Sequence, residues 1–185
     1  ATNSAGTGYG NVLTFTTTID IKLPQLTTAA ITSLAYNTAT SGGTITTNGG
    51  AVITASGICW SKTNNAPTLA DSTKAGTTAS GSFIYVMNSL DENTTYYVRA
   101  FATNSAGTGY GDVVTFTTPV NVTLPLLTTA AITSLTYNSA TSGGTITADG
   151  GAVITASGIC WSKTNNQPTI SDSKVSGTNA TGSFA

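Results

Sequence analysis

The sequence has few charged residues and no histidine. Lys and Arg total 6 and Asp and Glu total 7 of 185 residues, so only 7% of the chain is charged and its net charge is −1. Without a basic surface the chain lacks the electrostatic attraction that binds a phosphate backbone, so we expect no nucleic-acid partner. The missing histidine excludes Ser-His-Asp and Cys-His catalysis, and also the usual histidine-containing zinc site.

Long apolar runs and cysteine pairs are also missing. No stretch of about 18 apolar residues occurs, and no charged segment leads into a short apolar one, so we expect neither a membrane span nor a signal peptide within this sequence. Each of the two cysteines stands alone in its part of the chain. A metal site or an intradomain disulfide would need partners that the sequence does not supply.

Threonine is the most frequent residue, at 40 of 185 positions. Its branched Cβ fits the pleated surface of a strand better than a helix. Short alternating segments recur along the chain between clusters of Gly, Asn and Ser, which are turn signals. The composition therefore predicts an all-β fold class.

A long internal repeat sets the domain organisation. Residues 1–84 align with residues 102–185 without a gap, and 63 of the 84 pairs are identical. We interpret residues 1–18 as the C-terminal strand of a preceding repeat, 19–119 as a complete repeat and 120–185 as an incomplete following repeat. A period of 101 residues exceeds that of solenoid units and suits a self-contained sandwich domain. We expect the sequence to be a window on a longer array.

Period-two alternation predicts the strands of the complete repeat. They cover Thr28–Leu34, Ala39–Thr46, Val52–Lys62, Gly81–Asn88, Thr94–Thr103 and Asp112–Thr118, with a weaker strand near Thr68–Ala70. Seven short strands in about 100 residues are typical of a two-sheet sandwich. The predicted architecture is thus a tandem series of seven-stranded immunoglobulin- or fibronectin-III-like β-sandwiches.

One segment carries a family resemblance. Leu90–Ala102, with the sequence LDENTTYYVRAFA, resembles the E–F region of fibronectin type III domains, where a Leu precedes by six residues a Tyr whose hydroxyl bonds back to the backbone. The following Asn104-x-x-Gly107-x-Gly109 resembles that family's F–G loop. Together with SGGTIT and GICWS, the complete repeat is similar to the tandem fibronectin-III-like repeats of large surface and secreted proteins of Bacteroidetes-type bacteria. The resemblance implies an extracellular or cell-surface location.

The position of tryptophan departs from that family. Fibronectin type III domains usually bury a Trp from their second strand, whereas Ala39–Thr46 carries Gly42 and Gly43 and the tryptophan is Trp60, one strand later. In one interpretation Trp60 faces the core and occupies the volume above Gly43. In the other, Cys59 points inward, and Ile58 and Trp60 lie on the outer face with Tyr97 and Phe101, forming an exposed aromatic patch.

The remaining chemistry-bearing residues suggest no reaction. Cys59 and Cys160 occupy the same repeat position, and each is either a small buried hydrophobe or one half of an intermolecular disulfide. Asp91 and Glu92 adjoin each other on a predicted turn instead of facing across a cleft, so they do not form a catalytic pair. The linker residue Asp20 corresponds to Asn121, which argues against a repeated calcium site. We predict no catalytic residue, no metal and no cofactor, and hence no enzyme.

Three functional interpretations remain. The leading one is a structural stalk or filament segment of a bacterial surface adhesin, whose partners are the neighbouring repeats and possibly other copies in a fibre. The alternative is a carbohydrate- or ligand-binding module of a secreted polysaccharide-degrading enzyme, with Tyr97, Phe101 and Tyr110 as its candidate surface. The third is assembly by strand exchange, in which residues 1–18 complete the unit of another copy.

Overall fold

The computed structural model describes residues 1–177 and 181–184. The chain forms two compact units: unit 1 contains Ala1–Leu34, Thr38–Asn88 and Thr95–Thr117, and unit 2 contains Ala35–Asn37, Ser89–Thr94 and Thr118–Ala185. Within the described residues every regular element is a β-strand, and none of them forms a helix that could cross a membrane.

Among the described residues, ten strands belong to unit 1 and five to unit 2. The strands of unit 1 are β1 (Thr2–Asn3), β2 (Gly6–Thr7), β3 (Gln25–Thr28), β4 (Ala39–Thr47), β5 (Ala55–Ser61), β6 (Ser72–Gly76), β7 (Gly81–Met87), β8 (Thr95–Asn104), β9 (Gly107–Tyr110) and β10 (Val114–Thr117). Those of unit 2 are β11 (Leu126–Thr129), β12 (Gly144–Ala148), β13 (Gly158–Trp161), β14 (Ser173–Ser176) and β15 (Gly182–Phe184).

Two antiparallel sheets form the body of unit 1. The smaller sheet has the order β3–β4–β7, and the larger has the order β10–β8–β5–β6 with β9 also paired to β8. Strands that follow one another in sequence are thus distributed between two sheets, as in immunoglobulin-like sandwiches. The predicted all-β sandwich fold is confirmed.

Two strands were predicted at the wrong position, and a third strand was not predicted. The first strand is Gln25–Thr28 instead of Thr28–Leu34; beyond it lies an isolated bridge between Thr32 and Thr40, and Ser33 has a φ of 47° that interrupts extended backbone. The weak strand lies at Ser72–Gly76, after the loop that contains Thr68–Ala70. The hairpin strand β9 was not predicted, because its Gly-rich sequence has the composition of a loop.

β9 and β10 lie along the same side of β8 and form two parts of one interrupted edge strand. β10 pairs with the first half of β8 and β9 with its second half. At the interruption the Ala100 N–H donates to Thr28 Oγ1 of the other sheet at 3.0 Å, while the Gly111 N–H donates to the Ala100 carbonyl at 3.0 Å. A side chain from the opposite sheet therefore satisfies a backbone donor that the edge strand leaves free.

Alternating residues of both sheets form the core of unit 1. Tyr96 and Phe116 are buried neighbours across β8 and β10, and their rings stack with centroids 5.7 Å apart. Other buried apolar side chains of the two sheets are Ile45, Ile58, Phe83, Met87 and Val98. Along one strand, such as Phe83 and Met87 on β7 or Tyr96 and Val98 on β8, these residues are separated by an even number of positions. This spacing places their side chains on the same face of the strand.

Trp60 faces the inner side of its sheet, but it does not fill the space above Gly43. Cross-strand pairing places Ile58 opposite Ala100 and Trp60 opposite Val98, so these four residues share a face. A Cβ at Gly43 would lie 2.5 Å from the Ala100 Cβ, which identifies that face as the inner one. Ala100 and Phe83 occupy the volume that was predicted for Trp60, and the indole itself is half-buried.

The alternative interpretation, with Cys59 inward and Trp60 on the outer face, was wrong. Tyr97 and Phe101 pair with Ser61 and Gly57, so they share the face of Cys59 and not that of Trp60. That outer face is not an exposed aromatic patch either, because Cys59 and Phe101 are both buried on it. Period-two alternation separated the two faces of the strand but could not indicate that both are covered.

Unit 2 repeats the strand pairings of unit 1. β12 pairs with β11 and β15 as β4 pairs with β3 and β7, and the pair Ile159–Val175 lies 101 residues after the pair Ile58–Lys74. β14 is the described partner of β13, whereas β5 lies between β6 and β8. The indole of Trp161 is accordingly 48% exposed, more than that of its counterpart Trp60.

The N-terminal residues of unit 1 form a short hairpin. β1 and β2 pair Thr2 with Thr7, the counterparts of Thr103 and Thr108 in β8 and β9, and both threonine pairs join their hydroxyl groups, at 2.7 and 2.8 Å. Residues 12–16, the copy of the segment that contains β10, lie outside the described strands with Phe15 exposed. The local hairpin thus forms from its own sequence, because its contacts span only a few residues.

Candidate functional sites

The three aromatic residues predicted as a ligand surface do not form an exposed row. Phe101 is only 2% exposed, between Gly57 and Tyr110 in the sheet. The guanidinium of Arg99 lies over the Tyr110 ring, 4.5 Å from its centroid, and the Tyr110 hydroxyl accepts a hydrogen bond from the Leu69 N–H at 3.4 Å. Tyr110 is thereby held on both its face and its edge, so it has a structural role that the sequence analysis did not identify.

Cys59 is a buried thiol beneath the loop between β5 and β6. Its Sγ donates to the carbonyl of Pro67 at 3.3 Å, and both residues are fully buried. Burial raises the pKa of the Cys59 thiol to about 11, against a smaller opposing effect of the Arg99 charge. The prediction of a small buried hydrophobe is confirmed for Cys59, which is a free thiol with no exposed surface for a disulfide to another copy.

Cys160 has the same local environment in unit 2. Its Sγ donates to the carbonyl of Pro168 at 3.3 Å, the distance found at Cys59. It is also a free thiol, but it is half-buried because β13 lacks a described neighbour corresponding to β8. The loop contact therefore belongs to each repeat by itself, whereas full burial of the thiol also requires the strand on the other side.

A single carboxylate organises the loop that covers Cys59. Asp71 Oδ2 accepts hydrogen bonds from Asn64 Nδ2 and from the Thr68 N–H, both at 2.9 Å. The Thr68 backbone hydrogen bond, together with those from side chains, holds the pKa of Asp71 below its usual value. Asp172 makes the same contacts with Asn165 and Thr169, at 3.1 and 2.9 Å, and its pKa is also lowered. The loop is thus a structural feature that both repeats share, and the sequence analysis did not identify it.

These two carboxylates predict a pH dependence of stability. Because their pKa values are lower in the folded than in the unfolded protein, ionised Asp71 and Asp172 stabilise the fold at any pH above their unfolded values. That contribution is lost as the pH falls through about 4 and then through the folded values. We expect the midpoint of thermal unfolding to fall over this range, and to fall less in the double variant Asp71→Asn/Asp172→Asn.

A matched control for the pH experiment is Asp112→Asn, at an exposed position outside both loops. Circular dichroism melts of the three proteins between pH 6 and roughly pH 2.5, a range that brackets the carboxylate titrations, make the comparison. Equal pH dependence in the parent and in the double variant would contradict the stabilising role assigned to the two loop carboxylates.

The Glu92 carboxylate and the Asp91 main chain both make hydrogen bonds within unit 2. Glu92 Oε2 accepts the Asn121 N–H at 2.7 Å, and the Asp91 carbonyl accepts the Thr118 hydroxyl at 2.6 Å. The Thr118 hydroxyl in turn accepts the Thr94 N–H at 3.0 Å. This arrangement holds a turn against the segment that begins unit 2, and it does not place two carboxylates across a cleft as glycoside hydrolysis requires.

Metal ligands are dispersed over the described parts of both units. No group of three or more Asp, Glu, Cys or His side chains comes together among residues 1–177 and 181–184. Asp20, the linker carboxylate, lies 3.5 Å from Lys22, with both side chains exposed. Such a surface pair contributes little to stability.

The more apolar cavities lie in unit 2, along β13. One has a volume of about 340 Å³ and is lined by Leu127, Cys160, Ile170 and Val175, among others. Its lining also includes Ser157, Lys174 and Ser176, so β14 as well as β13 borders the cavity. Among the described residues these side chains belong to no cluster of potential metal ligands.

Comparison with known proteins gives structural neighbours only. No protein-family model matches the sequence, and no curated protein matches it. The protein is similar to the sensor domain of the anti-sigma factor RsgI4 of Pseudobacteroides cellulosolvens, with 16% identity, coverage of 54% of this chain and 97% of that one, and a TM-score of 0.40.

Two human domains are similar at the same level. The sixth fibronectin type III domain of human fibronectin type III domain containing protein 3 has 22% identity, coverage of 57% and 91%, and a TM-score of 0.39. The fourth FNIII domain of a human protein has 16% identity, coverage of 64% and 93%, and a TM-score of 0.44. The sandwich assignment itself rests on the strand order of unit 1.

Proposed function

We propose that this protein is a structural stalk or filament segment of a bacterial cell-surface or extracellular repeat protein, with spacing as its role. The observation that carries the proposal is the internal repeat: 63 of 84 aligned residues are identical, and the shared residues include those that build the fold. The loop aspartate, the cysteine beneath the loop and the hairpin threonines each recur with the same contacts.

The surface chemistry supports a passive role. Exposed strand residues pair through their hydroxyl groups, as Thr44 with Ser82 at 2.8 Å and Thr95 with Thr117 at 2.9 Å. These cross-strand pairs stabilise the sheets modestly and keep the exterior polar without charge. Such a surface suits a segment that remains hydrated outside a cell.

The segments that begin the sandwich of each repeat are anchored by backbone hydrogen bonds. In unit 1 the Lys22 N–H donates to the Gly49 carbonyl at 2.8 Å, and in unit 2 the Thr123 N–H donates to the Gly150 carbonyl at the same distance. Asn121 is held in addition by Glu92. A spacer benefits from such contacts, because a hydrogen-bonded segment has fewer conformations than a free linker.

Sedimentation velocity over a wide range of concentrations tests the proposal. A stalk segment is expected to sediment as a monomer with an unchanged coefficient, since it carries no interface of its own. A mass that rises with concentration would contradict this expectation and favour assembly by strand exchange.

Retention by insoluble polysaccharides tests the alternative function. A spacer is expected to show no retention, whereas retention that is lost in the variants Tyr97→Ala and Tyr110→Ala would support a carbohydrate-binding module. Ser105→Ala, at an exposed position of the adjacent hairpin, serves as the matched control.

A further inference from the structure

The turn between β4 and β5 contains the single Asn–Gly pair of the sequence, Asn48–Gly49. Asn48 is exposed, and its Oδ1 accepts the Gly50 N–H at 3.0 Å. Gly49 and Gly50 have φ values of 70° and 88°, a region that residues with a side chain rarely adopt. Glycine is thus required after Asn48, and it leaves the Gly49 nitrogen without the shielding that a side chain would give.

The second repeat carries an aspartate at the same position. Asp149 Oδ1 accepts the Gly151 N–H at 2.9 Å, and Gly150 and Gly151 have φ values of 72° and 84°. The Gly150 carbonyl also accepts the same anchoring hydrogen bond as its counterpart Gly49. This turn therefore accommodates an aspartate with nearly the same φ values, and with the side-chain and anchoring hydrogen bonds of the first repeat retained.

We propose that Asn48 is a site of spontaneous deamidation in the folded protein. The Gly49 nitrogen attacks the Asn48 Cγ and forms a C–N bond that closes a five-membered imide; the bond between Cγ and Nδ2 of Asn48 breaks, and Nδ2 leaves as ammonia with the proton from the Gly49 amide. Water then opens the imide and leaves a carboxylate. No electron transfer is involved, and the only other reactant is water, which reaches an exposed turn.

The two ways in which water can open the imide have different structural consequences. The Asn48 carbonyl accepts Asn104 Nδ2 at 2.8 Å, and the same buried amide donates to the Lys22 carbonyl at 2.7 Å. A normal aspartyl product leaves the main chain unaltered and so keeps this carbonyl in place. An isoaspartyl product inserts an extra carbon into the main chain and displaces the carbonyl, so the Asn104 amide loses an acceptor that anchors the segment at Lys22.

Incubation of the native protein at mildly alkaline pH in ¹⁸O-labelled water, followed by peptide mass spectrometry, tests the proposal. Asn48 is expected to convert with incorporation of the label, and at least severalfold faster than Asn65, which is exposed but followed by Ala66. Conversion no faster than at Asn65, or conversion confined to a parallel sample in denaturant, would overturn it.

Two variants that copy residues of the second repeat show whether the turn acts as described. The Gly49 N–H donates to Thr47 Oγ1 at 3.0 Å, and the counterpart of Thr47 is Ala148. Thr47→Ala frees the attacking nitrogen and is expected to increase the rate of conversion severalfold; a slower rate would contradict the assigned nucleophile. Asn48→Asp is expected to leave the unfolding midpoint unchanged, and a lowered midpoint would contradict the claim that the turn tolerates aspartate.

Discussion

Replacement of Gly43 by valine is expected to lower the free energy of unfolding of unit 1 by about 3 kcal/mol, the upper part of the range for overpacked cores. A Cβ at this position would lie 2.5 Å from the Ala100 Cβ, 2.6 Å from the Thr27 carbonyl oxygen and 3.0 Å from Phe83 Cζ. These neighbours belong to two sheets, and one of the atoms is backbone. Moving the sheets apart would relieve only the clash with Ala100, because Thr27 and Phe83 lie in the same sheet as Gly43. The backbone of β3 would have to shift as well.

Fluorescence in a Trp161→Phe background measures this effect on unit 1 alone, because Trp60 is then the single tryptophan. The matched control is Gly10→Val, since a Cβ at Gly10 would meet no atom within 4 Å and its φ is not positive. A Gly43→Val protein as stable as this control would show that the two sheets are not in close contact at Gly43.

Truncation of Phe101 to alanine is expected to destabilise unit 1 by about 3–5 kcal/mol, as for other large buried aromatics. Phe101 lies on the outer face of its sheet but is only 2% exposed, in the same layer as Cys59 and the covering loop. Total stability for a domain of this size is about 5–15 kcal/mol, so the loss is a large fraction of it. Urea unfolding in the Trp161→Phe background, followed by Trp60 fluorescence, measures the loss.

The Phe101 variant also distinguishes the two functional roles considered for this residue. A ligand-contacting aromatic would lose binding with little loss of stability, whereas a core residue loses stability first. Ile84→Ala is the control, because Ile84 is an apolar strand residue of unit 1 that is 72% exposed. Similar stability losses for the two variants would mean that the outer face of β8 is not a packed layer.

Much of the fold could be predicted from the sequence, because residue types alternate clearly along several strands, whether these are central or at an edge. β4, β7 and β8 were placed within one or two residues of their observed bounds. The position of β3 was not predicted, because Thr27 and Thr28 continue into Ala and Thr residues whose pattern does not mark where the strand ends. β9 was missed because its pairing depends on the hairpin that returns it to β8.

The candidate sites were predictable in a more limited way. Cys59 was expected to be buried, and it is, since a lone cysteine has few other roles in a protein without histidine. The role of Tyr110 was not predictable, because its contacts with Arg99 and with Leu69 span 11 and 41 residues. The loop aspartate carried a usable signal, since Asn64 and Asp71 recur at the same spacing in both repeats.

The sequence by itself determined the repeat, the strand-rich composition and the exclusion of histidine chemistry, since these follow from the order and type of the residues alone. Only the tertiary structure decided that Ala100 and Phe83 fill the space above Gly43, and that both faces of β5 are covered. The reason is physical: alternation specifies which side chains share a face, but the identity of the atoms against that face depends on segments that are distant in sequence.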